Sequence, residues 1–111
     1  MADITVQSIV RAGLLPGTPD SAAGGGDAFL NTGREFIEIA NGSGSSINVT
    51  IATQSTVDGL AVADRVVAVG AGETKKIGPF PKGAYNDSDG KVQVTYSAAG
   101  SVTIAVFNLD I

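Results

Sequence analysis

Residues that could perform acid–base or metal chemistry are scarce in this sequence of 111 residues. It contains no histidine and no cysteine, so the usual general base, the thiolate nucleophile and the Cys/His type of zinc site are all missing. Glu35 and Glu38 share one predicted strand, but their odd separation places the two carboxylates on opposite faces of it. The sequence therefore predicts a protein that is not an enzyme and that has no catalytic residues, no metal and no cofactor.

One acidic segment, residues 87–90, reads Asp-Ser-Asp-Gly, like a fragment of a calcium-binding loop. Calcium takes about six to eight oxygen ligands in proteins, and a later bidentate glutamate is usually one of the residues that supply them. Here Lys91 follows directly, and no glutamate occurs after Glu73. Asp-Gly in front of an alternating segment is typical of a tight turn. We therefore expect a turn at residues 87–90 and no cation site.

The elements that must position these side chains are predicted to be β-strands. Apolar and polar residues alternate in several segments, and no segment longer than ten residues has the 3.6-residue period of a helix. Turn residues recur about every ten residues. This pattern predicts one all-β domain over residues 1–111: an antiparallel β-sandwich, of jelly-roll or immunoglobulin-like type, with about seven to eight strands and little helix. The predicted core residues are Ile37, Ile39, Val49, Ile51, Val67, Val92, Val94, Tyr96, Ile104 and Val106.

The clearest hairpin is predicted at residues 33–53, where two β-branched runs flank a polar turn. Asn41-Gly42 opens this turn and supplies the positive φ angles that a tight reversal requires. We expect two further reversals, at residues 70–73 and 98–101, and a first strand at residues 4–10. A loop is expected at residues 82–90. Residues 60–63, after a turn at Asp58-Gly59, fit either a short helical turn or a brief strand.

Residues 11–32 form the longest segment without a strand or helix period, and they are rich in Gly, Ala and Pro. Connections longer than about 12–15 residues are uncommon in compact domains and are usually functional or disordered. Four apolar side chains stand near the ends of this segment: Leu14, Leu15, Phe29 and Leu30. We therefore predict that residues 1–32, an N-terminal strand plus a long Gly/Pro-rich loop, act as an arm that contacts a partner or another subunit. The alternative is a loop that folds back over its own sandwich.

The chain has a formal net charge of -4, with seven Lys and Arg against eleven Asp and Glu. An acidic protein repels phosphate backbones, so nucleic-acid binding is not expected. Residues 65–91 nevertheless carry five cations and three acids, a local charge of +2. This segment is either a solvated face of mixed charge or a cationic patch for an acidic partner. Its candidate contact residues are Arg65, Lys75, Lys76, Lys82 and Tyr85.

A sugar-binding module is a competing interpretation of a small β-sandwich. Sugars usually stack on exposed aromatic rings, and this sequence has no Trp and only two Tyr. Tyr96 falls on the apolar side of its predicted strand, which leaves Tyr85 as the plausible platform. The other role for Tyr85 is to pack over a loop.

Signals for export or membrane insertion are not recognised in the sequence. The first ten residues contain neither a basic region nor a long apolar run. No stretch approaches the roughly 20 apolar residues of a membrane helix. We therefore expect a protein that is made in a cytoplasm and that does not bind a membrane.

The layout of the chain resembles small proteins of tailed bacteriophages that are encoded beside the major capsid protein. The similarity follows the start M-A-D-I-T-V-Q-S-I, then G-R-E-F-I-E-I-A-N-G, T-V-D-G-L-A-V-A-D-R, A-G-E-T-K-K-I-G-P-F-P, A-Y-N-D and V-Q-V-T-Y-S. Proteins of this kind look like head decoration (cement) proteins, which bind the capsid exterior and reinforce it. The resemblance implies a virion protein on the capsid surface, made in the host cytoplasm, whose partners are the major capsid protein and itself, as a homotrimer. Similar small β-proteins also occur at the head–tail junction and in tails, so those locations stay open.

Overall fold

The computed structural model describes residues 1–109 and confirms an all-β fold, with 47% of the residues in strands and 4% in helix. Twelve strands occur in this part of the chain; eight have four residues or more, in line with the seven to eight predicted, and the others have two. The elements in chain order are β1 (Ala2–Asp3), β2 (Val6–Ile9), β3 (Asp20–Ser21), β4 (Asp27–Leu30), β5 (Glu35–Asn41), β6 (Ile47–Ile51), β7 (Thr56–Val57), β8 (Leu60–Ala61), β9 (Arg65–Val69), β10 (Thr74–Ile77), α1 (Lys82–Tyr85), β11 (Lys91–Tyr96) and β12 (Val102–Leu109).

Two sheets form the layers of the sandwich. The first sheet has the order β1-β4-β11-β6-β9, and the second has the order β10-β5-β12-β2, with β3 also paired to β12. The β7–β8 pair forms a separate small sheet. Among the eight longer strands, consecutive strands lie in opposite sheets, except that β6 and β9 pair with each other. This alternation favours the jelly-roll form over the immunoglobulin-like form, in which consecutive strands commonly share a sheet.

The hairpin predicted at residues 33–53 is wrong, because β5 and β6 lie in different sheets. The turns predicted at residues 70–73 and 98–101 are confirmed: the N–H of Glu73 donates to the carbonyl of Gly70 at 3.0 Å, and the N–H of Val102 donates to the carbonyl of Ala99 at 3.2 Å. They join β9 to β10 and β11 to β12 across the sandwich, so neither closes a hairpin within one sheet. Gly42 does not have the positive φ expected of it. A strand has a side-chain period of two in a hairpin and also in an arch between sheets, so the alternation predicts the strands but not their partners.

The side chain of Asn41 closes the arch between β5 and β6. It is only 1% exposed, and its Oδ1 accepts hydrogen bonds from the backbone and hydroxyl of Ser43 at 3.0 and 2.7 Å. Its Nδ2 donates to the backbone carbonyls of Ser45, Val69 and Gly70 at 2.8, 3.1 and 3.2 Å. One buried amide therefore ties this arch to the next one, between β9 and β10.

The N-terminal segment is built into the sandwich, which corrects the predicted arm over residues 1–32. The strand predicted at residues 4–10 is present but shorter, as β2, which runs parallel to β12. β1 precedes it and runs parallel to β4, so the sheets are mixed and not purely antiparallel. β3 and β4 lie inside the segment that was predicted to lack strands. The alternation of β4 is hidden in the sequence because its first inward residue is Asp27, a fully buried carboxylate that accepts a hydrogen bond from the Tyr96 hydroxyl at 2.7 Å.

The core lies between the two sheets and confirms most of the predicted set. Eight predicted residues have 0% exposure: Ile37, Ile39, Val49, Ile51, Val92, Val94, Ile104 and Val106. Val67 is only half-buried because β9 is an edge strand, and Val69 occupies the deeper position on it. Tyr96 is also half-buried and packs at the margin of the core.

Candidate partner-binding site

One open side of the sandwich is formed by β9 and β10, which are the outermost strands of their sheets. Edge strands present backbone N–H and C=O groups without a neighbouring strand, so they are sites where other chains can associate. A cleft of about 590 Å³ lies along this side, between the edges and the segment that follows β10. It brings together four of the nine predicted contact residues: Arg65, Lys75, Lys76 and Tyr85.

Aromatic packing supports one end of this cleft. Phe80 is 3% exposed, and its ring centroid lies 5.7 Å from those of Phe29 and Tyr85. Tyr85 meets Phe80 edge-on, at 79°. Residues 82–90 are not all loop as predicted, because the N–H of Tyr85 donates to the carbonyl of Pro81 at 3.1 Å and closes the single turn of α1. Tyr85 is thus half-buried against the core and does not stand free.

Three cations and no acidic residue line the cleft, in a chain whose net charge is -4. Lys75 Nζ donates to the carbonyl of Ala68 on the β9 edge at 2.7 Å, so it bridges the two edge strands. An inward-pointing charge on an edge strand also limits uncontrolled strand pairing. Lys76 forms an ion pair with Glu38 at 3.4 Å. Arg65 is exposed and has no ion pair among residues 1–109, so it is the cation most available to an acidic partner.

Three further predicted contact residues lie away from the cleft. Phe29 is wrong as a contact residue, because it is 1% exposed and belongs to the core. Its neighbour Leu30 is 59% exposed and lies on β4, near the opposite edge of the first sheet. Lys82, the first residue of α1, lies beside Gly33 and does not line the cleft.

Residues 10–19 fold back over the outer face of the second sheet. Leu14 is half-buried and lines a groove there together with Phe107 of β12. A backbone N–H of this loop donates to the Gln7 side chain of β2 at 2.8 Å. Leu15 points away and is 93% exposed. This loop therefore covers its own sandwich, and Leu15 is the member of the predicted leucine pair that remains available to a partner.

No protein-family model, no curated protein and no solved structure matches the chain.

Glu35 occupies the opposite open side of the sandwich, in a second cleft of about 510 Å³. The side chain is 2% exposed and accepts hydrogen bonds from Thr32, from the Arg34 backbone and from Asn108. Burial raises the pKa of Glu35, but these hydrogen bonds outweigh it and hold the pKa below its usual value. Glu38 faces the other way, as its odd separation predicts. Glu35 therefore acts as an ionised anchor between β5 and β12.

Residues 87–90 form the predicted turn. Asp87 Oδ1 accepts the backbone N–H of Asp89 at 2.9 Å and that of Lys91 at 3.0 Å, and Gly90 has a φ of 74°. A side-chain hydrogen bond from Gln93, together with these backbone bonds, holds the pKa of Asp87 below its usual value. Among residues 1–109, no group of three or more His, Cys, Asp and Glu could hold a metal ion, and no helix is long and apolar enough to cross a membrane.

Residues 56–61 form a small hairpin, β7–β8, whose exposed apolar side chains are not among the predicted contact residues. The turn at Asp58-Gly59 is confirmed, with φ angles of 52° and 76°, and the brief strand is the correct alternative for residues 60–61. Val57 and Leu60, on either side of this turn, are 63% and 72% exposed. The Asp-Gly turn signal predicts such a hairpin, but nothing local in the sequence predicts that its apolar side chains stay uncovered.

Proposed function

We propose that this chain is a non-enzymatic structural protein of a tailed-bacteriophage virion, which binds the outside of the capsid and stabilises the head. Its partners are the major capsid protein and copies of itself, and its place is the capsid surface. The observation that carries the proposal is the convergence of Arg65, Lys75, Lys76 and Tyr85 on one cleft between two edge strands. This adds a physical binding surface to the resemblance found in the sequence.

The cleft suits an acidic, extended segment of a capsid protein. Arg65 and its neighbouring lysines attract carboxylates, and complementary charge speeds encounter and selects the partner. The edge of β9 or β10 can accept a further strand through backbone hydrogen bonds, a common mode of peptide recognition. The bridge from Lys75 to Ala68 then has to open or to accommodate the added strand. Affinity and selectivity thus come from different groups on the same side of the molecule.

The competing sugar-binding function receives less support from the geometry. Its one plausible platform, Tyr85, packs edge-on against Phe80 and is half-buried, so packing over the core accounts for the ring. A protein at the head–tail junction or in the tail binds through the same kind of surface as a protein on the capsid. The experiment therefore has to distinguish these locations.

Binding to purified heads tests the proposal. We expect the chain to cosediment with heads that lack it, and to make them more resistant to heat. Arg65→Glu replaces one of the three cations of the cleft with an acid, which leaves two cations and one acid, and should weaken binding by about tenfold or more. Arg11→Glu is the matched control, since Arg11 is exposed on the loop over the second sheet. No binding of the wild-type chain to heads, or equal losses in both variants, would contradict the proposal.

A further inference from the structure

We propose that two copies of this chain pack together through the outer face of the first sheet and the apolar side of the β7–β8 hairpin. The central residues of this face alternate with the buried residues of β6, β9 and β11 and carry no formal charge. We call them the neutral face: Asn48, Thr50, Val66, Ala68, Gln93 and Thr95.

The β7–β8 hairpin extends this face beyond the sandwich. The β6–β9 ladder ends at Ile51 and Arg65. Beyond it, side-chain hydrogen bonds hold Thr53 to the segment that returns: its backbone N–H donates to Asp64 Oδ1 at 2.9 Å and its hydroxyl donates to the Ala63 carbonyl at 3.1 Å. Beyond this point β7 and β8 pair with each other alone. A two-stranded hairpin is marginally stable in water unless a hydrophobic face packs against something.

The apolar side chains of this hairpin have no cover within the part of the chain that the structure describes. Leu60, Val62 and Val66 are the large apolar side chains along the path from this hairpin into β9. They are 72%, 39% and 55% exposed, and Val57, opposite Leu60, is 63% exposed. We call these four side chains the apolar ridge; they adjoin the neutral face through Val66, which belongs to both, and their burial favours association.

A second copy fits this surface because the residues of the neutral face carry no formal charge. In a two-fold contact the same patch meets itself, so every charge near the axis faces a like charge. The chain carries -4, yet the six residues of the neutral face carry no formal charge. The charges that border it are Asp87, whose Oδ2 accepts a hydrogen bond from Gln93 at 2.8 Å, and the ion pair between Lys91 and Asp3 toward the β1 edge. The outer face of the second sheet differs, since it carries the Lys76–Glu38 pair and is partly covered by residues 10–19.

The molecule is broad enough for such a contact. The molecule measures 42 × 37 × 20 Å along its principal axes, so its broad faces are large relative to the ~800 Å² per partner of a standard interface. Sheets stack face to face at about 10 Å, a distance that small side chains such as Thr, Asn and Ala allow. A two-fold contact gives dimers, whereas the phage resemblance implies trimers. Self-association through this face does not depend on binding to a capsid.

Light scattering coupled to size exclusion, over a range of concentrations, tests the contact. We expect the wild-type chain to form dimers. Thr95→Lys places a charge at the centre of the neutral face, and Leu60→Lys places one on the apolar ridge; each should raise the dissociation constant of the dimer about tenfold or more. Thr18→Lys, on the exposed loop over the other sheet, is the matched control and should leave the dimer intact.

Circular dichroism shows whether each variant is folded, and Leu60→Lys lies outside the sandwich, so it tests the contact even if Thr95→Lys disturbs β11. A wild-type chain that stays monomeric, or a trimer that both substitutions leave unchanged, overturns the proposal. Dimers that persist in both folded variants do the same. If head binding is lost in these variants while the wild-type chain is a monomer, the neutral face meets another protein and not a second copy.

Discussion

Among single residues, Asn41 holds backbone groups of two arches together through its side chain. Its side-chain amide donates hydrogen bonds to three backbone carbonyls, which belong to the two arches. Removing it leaves buried acceptors without partners, and such a loss typically costs about 1–3 kcal/mol. We therefore expect Asn41→Ala to lower the free energy of unfolding by about 2–3 kcal/mol in urea titrations. Gln54→Ala, at an exposed position, is the control and should change it by less than about 0.5 kcal/mol. Equal effects of the two substitutions would contradict this account of the arch.

Glu35 gives a prediction about pH. Its folded-state pKa is lowered, so the carboxylate contributes stability above its unfolded-state pKa, and that contribution is lost as the pH falls through the folded-state pKa. Glu35→Gln places an amide group against backbone N–H donors, so we expect it to be about 1–3 kcal/mol less stable than the wild type at pH 7.

The difference between Glu35→Gln and the wild type should shrink as the pH is lowered below the usual range of a glutamate, because only the wild type loses its ionised anchor. Asp87 has a lowered pKa as well, but it is present in both proteins, so its contribution cancels in the comparison. Denaturant titrations at a series of pH values measure the difference. A difference that stays constant down to pH 3 would show that Glu35 is not the group that titrates.

Among the elements, β4 separates two neighbouring residues that are both predicted from the sequence to be contact residues. Phe29 is in the core and Leu30 is exposed. Phe29→Ala should lower the free energy of unfolding by about 3–5 kcal/mol, whereas Leu30→Ala should change it by less than about 0.5 kcal/mol. Thermal or urea unfolding of the two variants decides this. A small effect of Phe29→Ala would support the arm predicted from the sequence.

The strands themselves were largely predictable from the sequence, and their partners were not. Alternation identified the inward residues of β5, β6, β11 and β12, because a half-buried strand imposes a period of two on its own residues. Strand pairing depends on contacts between residues that are far apart in the chain. The same alternation occurs in strands joined by a hairpin and in strands joined by an arch. The arch at Asn41 therefore looked like a hairpin, and Asn-Gly looked like its turn.

Short strands escaped prediction for a related reason. β3 has two residues, too few to show any period. β4 has four residues, and its first inward position is Asp27, whose carboxylate is held by the Tyr96 hydroxyl. The buried carboxylate puts a polar residue at a position where the alternation predicts an apolar one. The candidate site shows the same limit, since the basic residues are visible in the sequence, but the fold decides that Lys82 stands apart from the other three.

Across the whole molecule, the two open sides of the sandwich and the outer faces of its two sheets differ in the residues that they expose. The side between β9 and β10 carries the basic cleft, and the opposite side carries the anchored Glu35. The second sheet is partly covered by residues 10–19, and the neutral face of the first sheet is open. This division lets a capsid contact and a contact between copies use separate surfaces, so a variant in one surface should leave the other contact intact.

The location of the protein on the virion distinguishes capsid decoration from every other role. Cryo-electron microscopy of purified heads with and without this chain measures it. The capsid-decoration account predicts extra density on the outside of the head, of a size that fits the 42 × 37 × 20 Å sandwich, with the side between β9 and β10 turned toward the shell. Density at the head–tail junction or in the tail, or heads that are identical with and without the chain, would contradict it.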